Sequence, residues 1–261
     1  MLKKLIKHEL YATARFLIPL YLIMVVLSLA NRLLTNFDIF RGPLNTIRIL
    51  MLVAYVISIV ASLAVTFILI ILRFYKNLMS EEGYLMFTLP VKTSQLINSK
   101  LIVSIFWCLT SILVVISSLL ILFATNQNMN IFWQAIDQTL ASLKDEFGDQ
   151  YILFIFELLL MIIANLFLYI LLIYGSIAIG HSFTKNKIIS SFASYAVINT
   201  AMQIIMLIII LFLAYITGID LEDSSIVPKL LFPTYMIMSF VFNIVLYITT
   251  NHIFKRKLNL E

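Results

Sequence analysis

The sequence predicts an all-α membrane protein of about six transmembrane helices. Three observations carry this: an apolar excess, uncharged runs of spanning length, and cations gathered on one side of those runs. Of 261 residues, 62% are hydrophobic and 12% charged, against roughly 45–50% and about 25% in soluble domains. Mean hydropathy is +1.05. Six spans of about 20 residues leave roughly 140 for turns, ends and overhang. No separate soluble catalytic domain fits, so residues 1–261 read as a single transmembrane domain.

In chain order, residues Met1 to Arg15 read as an amphipathic helix, with Leu2, Leu5, Ile6 and Leu10 on one side and Lys3, Lys4, Lys7 and Glu9 elsewhere. It is expected on the inner leaflet, its lysines at anionic head groups, with Pro19 redirecting the chain into the first span. The lysines and the apolar stretch after them imitate a signal peptide, but five further spans predict retention. The uncharged runs are Phe16 to Ala30, Ile49 to Leu72, Leu101 to Thr125, Tyr151 to Gly180 around Glu157, Ile188 to Gly218, and Leu230 to Asn251. Backbone groups in hydrocarbon must bond within their own segment, so such runs are helices, and barrel alternation is missing. The fifth run of 31 residues would extend about 46 Å, more than a ~30 Å hydrocarbon core, and is expected to tilt with a protruding end.

With both termini cytoplasmic, the inner segments hold Lys3, Lys4, Lys7, Arg15, Arg73, Lys76, Lys92, Lys100, Lys185, Lys187, Lys255, Arg256 and Lys257, thirteen of the eighteen cations. That bias predicts an N-in, C-in protein. Outside, residues 127–150 repeat Ile131, Phe132, Ala135, Ile136, Leu140, Leu143 and Phe147 at helical spacing, with Trp133 beside them, which predicts an extracellular amphipathic helix.

The segment Arg73 to Lys100 between the second and third spans is long for a turn. Ser80 is placed to cap a helix opening on Glu81 and Glu82, whose charges suit the positive helix end. Pro90 stops that helix, and Thr93 or Ser94 is expected to cap the next. Tyr84, Leu85, Met86 and Phe87 on a cytoplasmic helix need a surface to bury against, either another protein or the membrane surface itself.

Chemistry-bearing patterns are sparse. Gly175-Ser-Ile-Ala-Ile-Gly180-His181-Ser182 approximates a phosphate loop but lacks its lysine and ends a span. Glu81-Glu82 lacks the arginine four residues later that membrane-embedded CAAX-type proteases need; Met86 stands there. His8, His181 and His252 are spaced singly, and Cys108 is the only cysteine, so no metal ligand set or disulfide is expected. The cations do not form the stripe with interleaved aromatics that nucleic acid would require. Glu157 is the one ionisable group inside an apolar run, a candidate for a pathway or an interfacial contact. Asn165, Gln203 and Asn243 are deeper polar groups that either bond helices together or line a path.

The layout resembles the membrane subunits of ABC type-2 exporters, particularly short permeases of Gram-positive bacteria encoded beside a separate ATPase. The resemblance rests on the opening Met1 to Tyr21, and on Arg73-Phe-Tyr-Lys-Asn-Leu followed by Glu82-Gly-Tyr-Leu-Met-Phe-Thr-Leu-Pro-Val91 and Ser99-Lys100-Leu101. It implies that residues 1–15 are a connecting helix and that residues 76–100 carry a coupling helix that enters the ATPase. Arg73, Lys76, Glu81, Glu82, Tyr84, Phe87 and Pro90 are its expected coupling residues. It further implies two six-helix permeases, identical or related, over two ATPase subunits, which supply the ATP and Mg chemistry that this chain lacks. The expected location is the bacterial cytoplasmic membrane, and the expected cargo an amphipathic peptide or toxin, a drug or a lipid. The short segment Ile219 to Lys229 leaves little for re-entrant outer helices, which disfavours polysaccharide. A secondary transporter or channel and a membrane-embedded enzyme are the alternatives.

Overall fold

The computed structural model describes residues 1–36, 45–79, 91–123, 126–148, 151–183, 186–218 and 230–256. Among them there is no strand, and seven α-helices follow in order. They are α1 (Leu2–Asn36), α2 (Asn45–Met79), α3 (Thr93–Phe123), α4 (Asn126–Phe147), α5 (Tyr151–His181), α6 (Lys187–Thr217) and α7 (Phe232–Arg256). All but α4 are long and apolar enough to cross a membrane, giving six candidate spans. By helix length and composition this is a multi-pass membrane protein.

Several boundaries differ from the sequence expectation. Residues 2–15 are not a separate segment that Pro19 turns into the first span; α1 runs unbroken over 35 residues with Pro19 inside it. Proline deprives a helix interior of one N–H donor and crowds the preceding turn. Here the packing of Leu17 and Tyr21 on either side of Pro19 into one core holds the helix through the defect. At the far end of α2, Arg73 and Lys76 are helical and not part of a loop, because α2 continues to Met79. The carbonyl of Lys92 accepts from the N–H groups of Gln95 and Leu96, so the first turn of α3 closes one residue before the expected Thr93 or Ser94 cap. The fifth span is a single unbroken helix, α6, of 31 residues. It stops at Gly218, whose φ of 66° is open to glycine, and whose N–H donates to the Ala214 carbonyl at 3.0 Å.

The chain divides into two compact units, Lys3–Ile70 with Val103–Phe156, and Met1–Leu2 with Ile71–Ile102 and Glu157–Glu261. In the first, the N-terminal unit, Leu17 and Tyr21 of α1 pack against Val103 and Trp107 of α3, with Val65 and Leu69 of α2 alongside. Helix α1 buries one stripe, Glu9, Thr13, Leu17, Tyr21, Met24, Ser28 and Asn31, at the three- and four-residue spacing of one helix face. Glu9, grouped by sequence with the exposed lysines, is buried on this stripe. The amphipathic α4 exposes Ile131, Phe132, Trp133 and Leu140 and half-buries Ile136, Leu143 and Phe147. It ends at Gly148 with φ of 57°. The ring of Phe147 stacks on Phe154 with centroids 4.1 Å apart.

In the C-terminal unit the deepest side chains include Phe74 and Leu78 of α2, Leu96 and Ile97 of α3, and Leu172 and Tyr174 of α5. Helix α6 contributes Ala214 alone to the buried set. Ile198, Met202, Met206, Ile209, Ile210 and Leu213 are half-buried, and its other apolar side chains are exposed.

Candidate functional site

The C-terminal unit brings together the end of α2, the start of α3, and the ends of α5 and α7. Phe74 is the centre. Its ring lies flat on Tyr174 of α5, with centroids 3.7 Å apart and planes 8° from parallel, and meets Phe254 of α7 edge-on at 5.7 Å and 82°. Phe74 and Tyr174 are almost fully buried. Aromatic pairs of this kind add about 0.5–1.5 kcal/mol beyond the area they bury. At Gly175, the residue that follows Tyr174, α5 comes close to α7, where an added Cβ would meet Thr250 Oγ1 at 3.2 Å. Further on, an added Cβ at Gly180 would meet the backbone of Ser191 in α6 at 2.5 Å. These two glycines therefore serve helix packing, which accounts for the pattern that imitated a phosphate loop.

Lys100 is buried, and its ammonium donates to the carbonyl of Arg73 at 3.2 Å. A cation near the last turns of α2 suits the negative helix end. Phe74, Leu78 and Met79 on one flank of residues 80–92 and Leu96 and Ile97 on the other are also buried. Tyr75 meets His181 edge-on at 5.1 Å. His181 is buried, and neither its Nε2 nor Oδ1 of Asn251 has a partner among the described residues.

Of the sequence-predicted coupling residues, Arg73 and Lys76 lie in the last two turns of α2. Glu81, Glu82, Tyr84, Phe87 and Pro90, with the Ser80 cap, lie outside the described residues. Glu157 is the seventh residue of α5 and partly exposed. Asn165 and Asn243 act as helix contacts. Tyr235 of α7 donates to Asn165 Oδ1 at 2.7 Å, and Asn243 of α7 donates to the carbonyl of Ala164 in α5 at 3.0 Å. Gln203 is exposed on α6 and makes no such contact; with Asn199, Tyr169 and Tyr235 it lines an open groove of about 410 Å³. Three methionines, Met202, Met206 and Met238, supply adaptable apolar surface there.

Sequence reasoning missed a second polar system, in the N-terminal unit. Trp107 Nε1 donates to Thr13 Oγ1 at 2.6 Å, and Thr13 donates back to the Glu9 carbonyl at 2.8 Å. Tyr21, Thr66 and Ser111 meet in one knot, with Tyr21 to Ser111 at 2.5 Å and Thr66 to Ser111 at 2.9 Å. Tyr55 meets Ser118 at 2.9 Å, and Asn31 donates to the Met51 carbonyl at 3.0 Å. These bonds join α1, α2 and α3. The signal that would have found them is the polar members of the α1 stripe, at three- and four-residue intervals.

Among the described residues no three of His, Cys, Asp and Glu converge to hold a metal ion. No known protein family, curated protein or solved structure matches the chain.

Proposed function

We propose that the chain is the transmembrane permease of an ATP-driven exporter of the bacterial cytoplasmic membrane, inserted with both termini inside. Residues 1–15, the start of α1, act as its connecting segment, residues 76–100 hold the helix that couples to a separate ATPase, and α4 lies on the outer surface. ATP and Mg act in that partner. Two permeases, identical or related, form the pathway for an amphipathic cargo, with peptide or toxin favoured over drug or lipid.

The observation that carries the proposal is the anchoring of residues 80–92. In sequence this segment sets Tyr84 and Phe87 close to Glu81 and Glu82, a composition that suits a protein partner. Its two flanks are tied together where Lys100 of α3 donates to the Arg73 carbonyl of α2, and Phe74, next to Arg73, packs against Tyr174 and Phe254. A push that reaches the α2 flank is passed to α5 and α7 through the packed rings. Packed interfaces of this kind pass on discrete shifts because they resist continuous deformation.

Co-expression with an ATPase encoded beside this chain, which the proposal requires, tests it. A complex should copurify, and Glu82→Ala with Tyr84→Ala should reduce its recovery at least several-fold while the permease itself remains folded. Transport by the purified chain alone in nucleotide-free liposomes would overturn it in favour of a secondary transporter or channel.

A further inference from the structure

In the N-terminal unit an open groove of about 440 Å³ runs between the start of α1 and the middle of α3. Leu10 and Ala14 form one wall, and Phe106 and Trp107 the other. Its surface is almost entirely carbon. The one nitrogen that the tryptophan brings is already committed, because Trp107 Nε1 donates to Thr13 at 2.6 Å. An occupant of these walls can make no hydrogen bond to them and must be hydrocarbon. The rim is the opposite. Lys3 and Lys7 line it, both exposed, and four residues apart they stand one above the other on the same face of α1. The Lys7 ammonium also sits 5.9 Å from the centre of the Tyr11 ring, which steadies a long side chain beside the mouth.

We infer that this groove is a binding site for one anionic phospholipid, an acyl chain lying against Leu10, Ala14, Phe106 and Trp107 and the head-group phosphate held by Lys3 and Lys7. Charge complementarity selects the occupant. A zwitterionic lipid would fill the same walls, but two cations with no acidic residue among the described lining favour a lipid of net negative charge. The inference goes beyond a general attraction of basic residues to the inner leaflet, since it assigns a bounded site with a hydrocarbon half and a phosphate half. Its placement in the inner leaflet rests on the orientation proposed above.

The chain has two tryptophans, so a Trp133→Phe variant leaves Trp107 as the only one. This full-length variant is reconstituted into vesicles of phosphatidylcholine and phosphatidylglycerol in which bromine, a contact quencher, is carried on the acyl chains of one lipid or the other. At equal mole fraction, brominated phosphatidylglycerol should quench Trp107 at least twofold more strongly than brominated phosphatidylcholine. Lys3→Gln with Lys7→Gln should bring the ratio near one, and Lys3→Arg with Lys7→Arg should keep it, with unchanged melting temperatures showing that all variants fold. Equal quenching by the two lipids overturns the inference, as does a preference that survives the glutamine substitutions. Symmetric vesicles offer the anionic lipid to both faces, so the ratio reads the groove whichever way the chain inserts. Labelling of a Lys7→Cys, Cys108→Ser variant by an impermeant maleimide in intact cells separately reads the orientation. Quenching preference with outside labelling would keep the site and sink the exporter orientation.

Discussion

Tyr21 shows how single hydroxyls hold the N-terminal unit. Ser111 and Thr66 each donate to a carbonyl of their own helix, Trp107 at 2.8 Å and Ser62 at 2.7 Å. With those protons so committed, the Tyr21 hydroxyl is the donor of this knot, a second tie from α1 to α3 beside the bond from Trp107 to Thr13. Tyr21→Phe leaves two acceptors facing each other without a donor and should lower stability by about 0.6 kcal/mol, with an upper bound of about 1.7 kcal/mol, the range found for interhelical hydrogen bonds in a membrane protein. Thermal unfolding in detergent, followed by Trp107 fluorescence, measures it; an unchanged midpoint would mean that the knot holds nothing. At this scale the sequence was legible where a polar group is rare. Asn165 and Asn243 stand out in apolar helices, and both bond α5 to α7. Serines and threonines do not stand out, because a hydroxyl that bonds its own helix backbone is tolerated almost anywhere in lipid. Gln203 was equally visible by depth but is exposed on α6, since depth along a helix says nothing about which face a residue occupies.

Among the elements, the helices themselves were legible from run length alone, because hydrocarbon forbids unpaired backbone groups. What could not be read was how far each helix continues beyond the apolar run. α1 passes through Pro19, and α2 carries Arg73 and Lys76 into its last turns. In both places buried packing overrides a local sequence signal. The close approach of α5 to its neighbours was also hidden, since a glycine pair in an apolar run suits a turn, a ligand or a helix contact equally well. It leads to a graded prediction. A Cβ at Gly180 meets the main chain of Ser191, which cannot rotate away, whereas at Gly175 it meets the Thr250 hydroxyl, which can. Gly180→Val should therefore part α5 from α6 and abolish a monodisperse peak in size-exclusion chromatography. Gly175→Ala should remain folded but lose the bond from Thr250 to the Leu246 carbonyl, now 2.6 Å, at a cost of about 1 kcal/mol in thermal unfolding. Equal tolerance of the two substitutions would contradict the packing assigned to Gly180.

For the whole molecule, the fold class follows from composition, and the proposed orientation rests on thirteen of eighteen cations falling in alternate segments. Orientation is the point on which the proposed function turns, because an ATPase can reach residues 80–92 only if they face the cytoplasm. It is testable with little perturbation. Cys108 is the only cysteine, so Cys108→Ser gives a background free of thiols. Lys4 on α1 and Gln138 on α4 are both exposed and accept a cysteine without disturbing a core. In intact cells an impermeant maleimide should label the Gln138→Cys variant, while the Lys4→Cys variant should react only after the membrane is opened. The reverse pattern would place the N-terminal lysines and the segment between α2 and α3 outside. Tyr84 and Phe87 would then have no route to a nucleotide-driven partner, and the coupling proposed for residues 76–100 would fail.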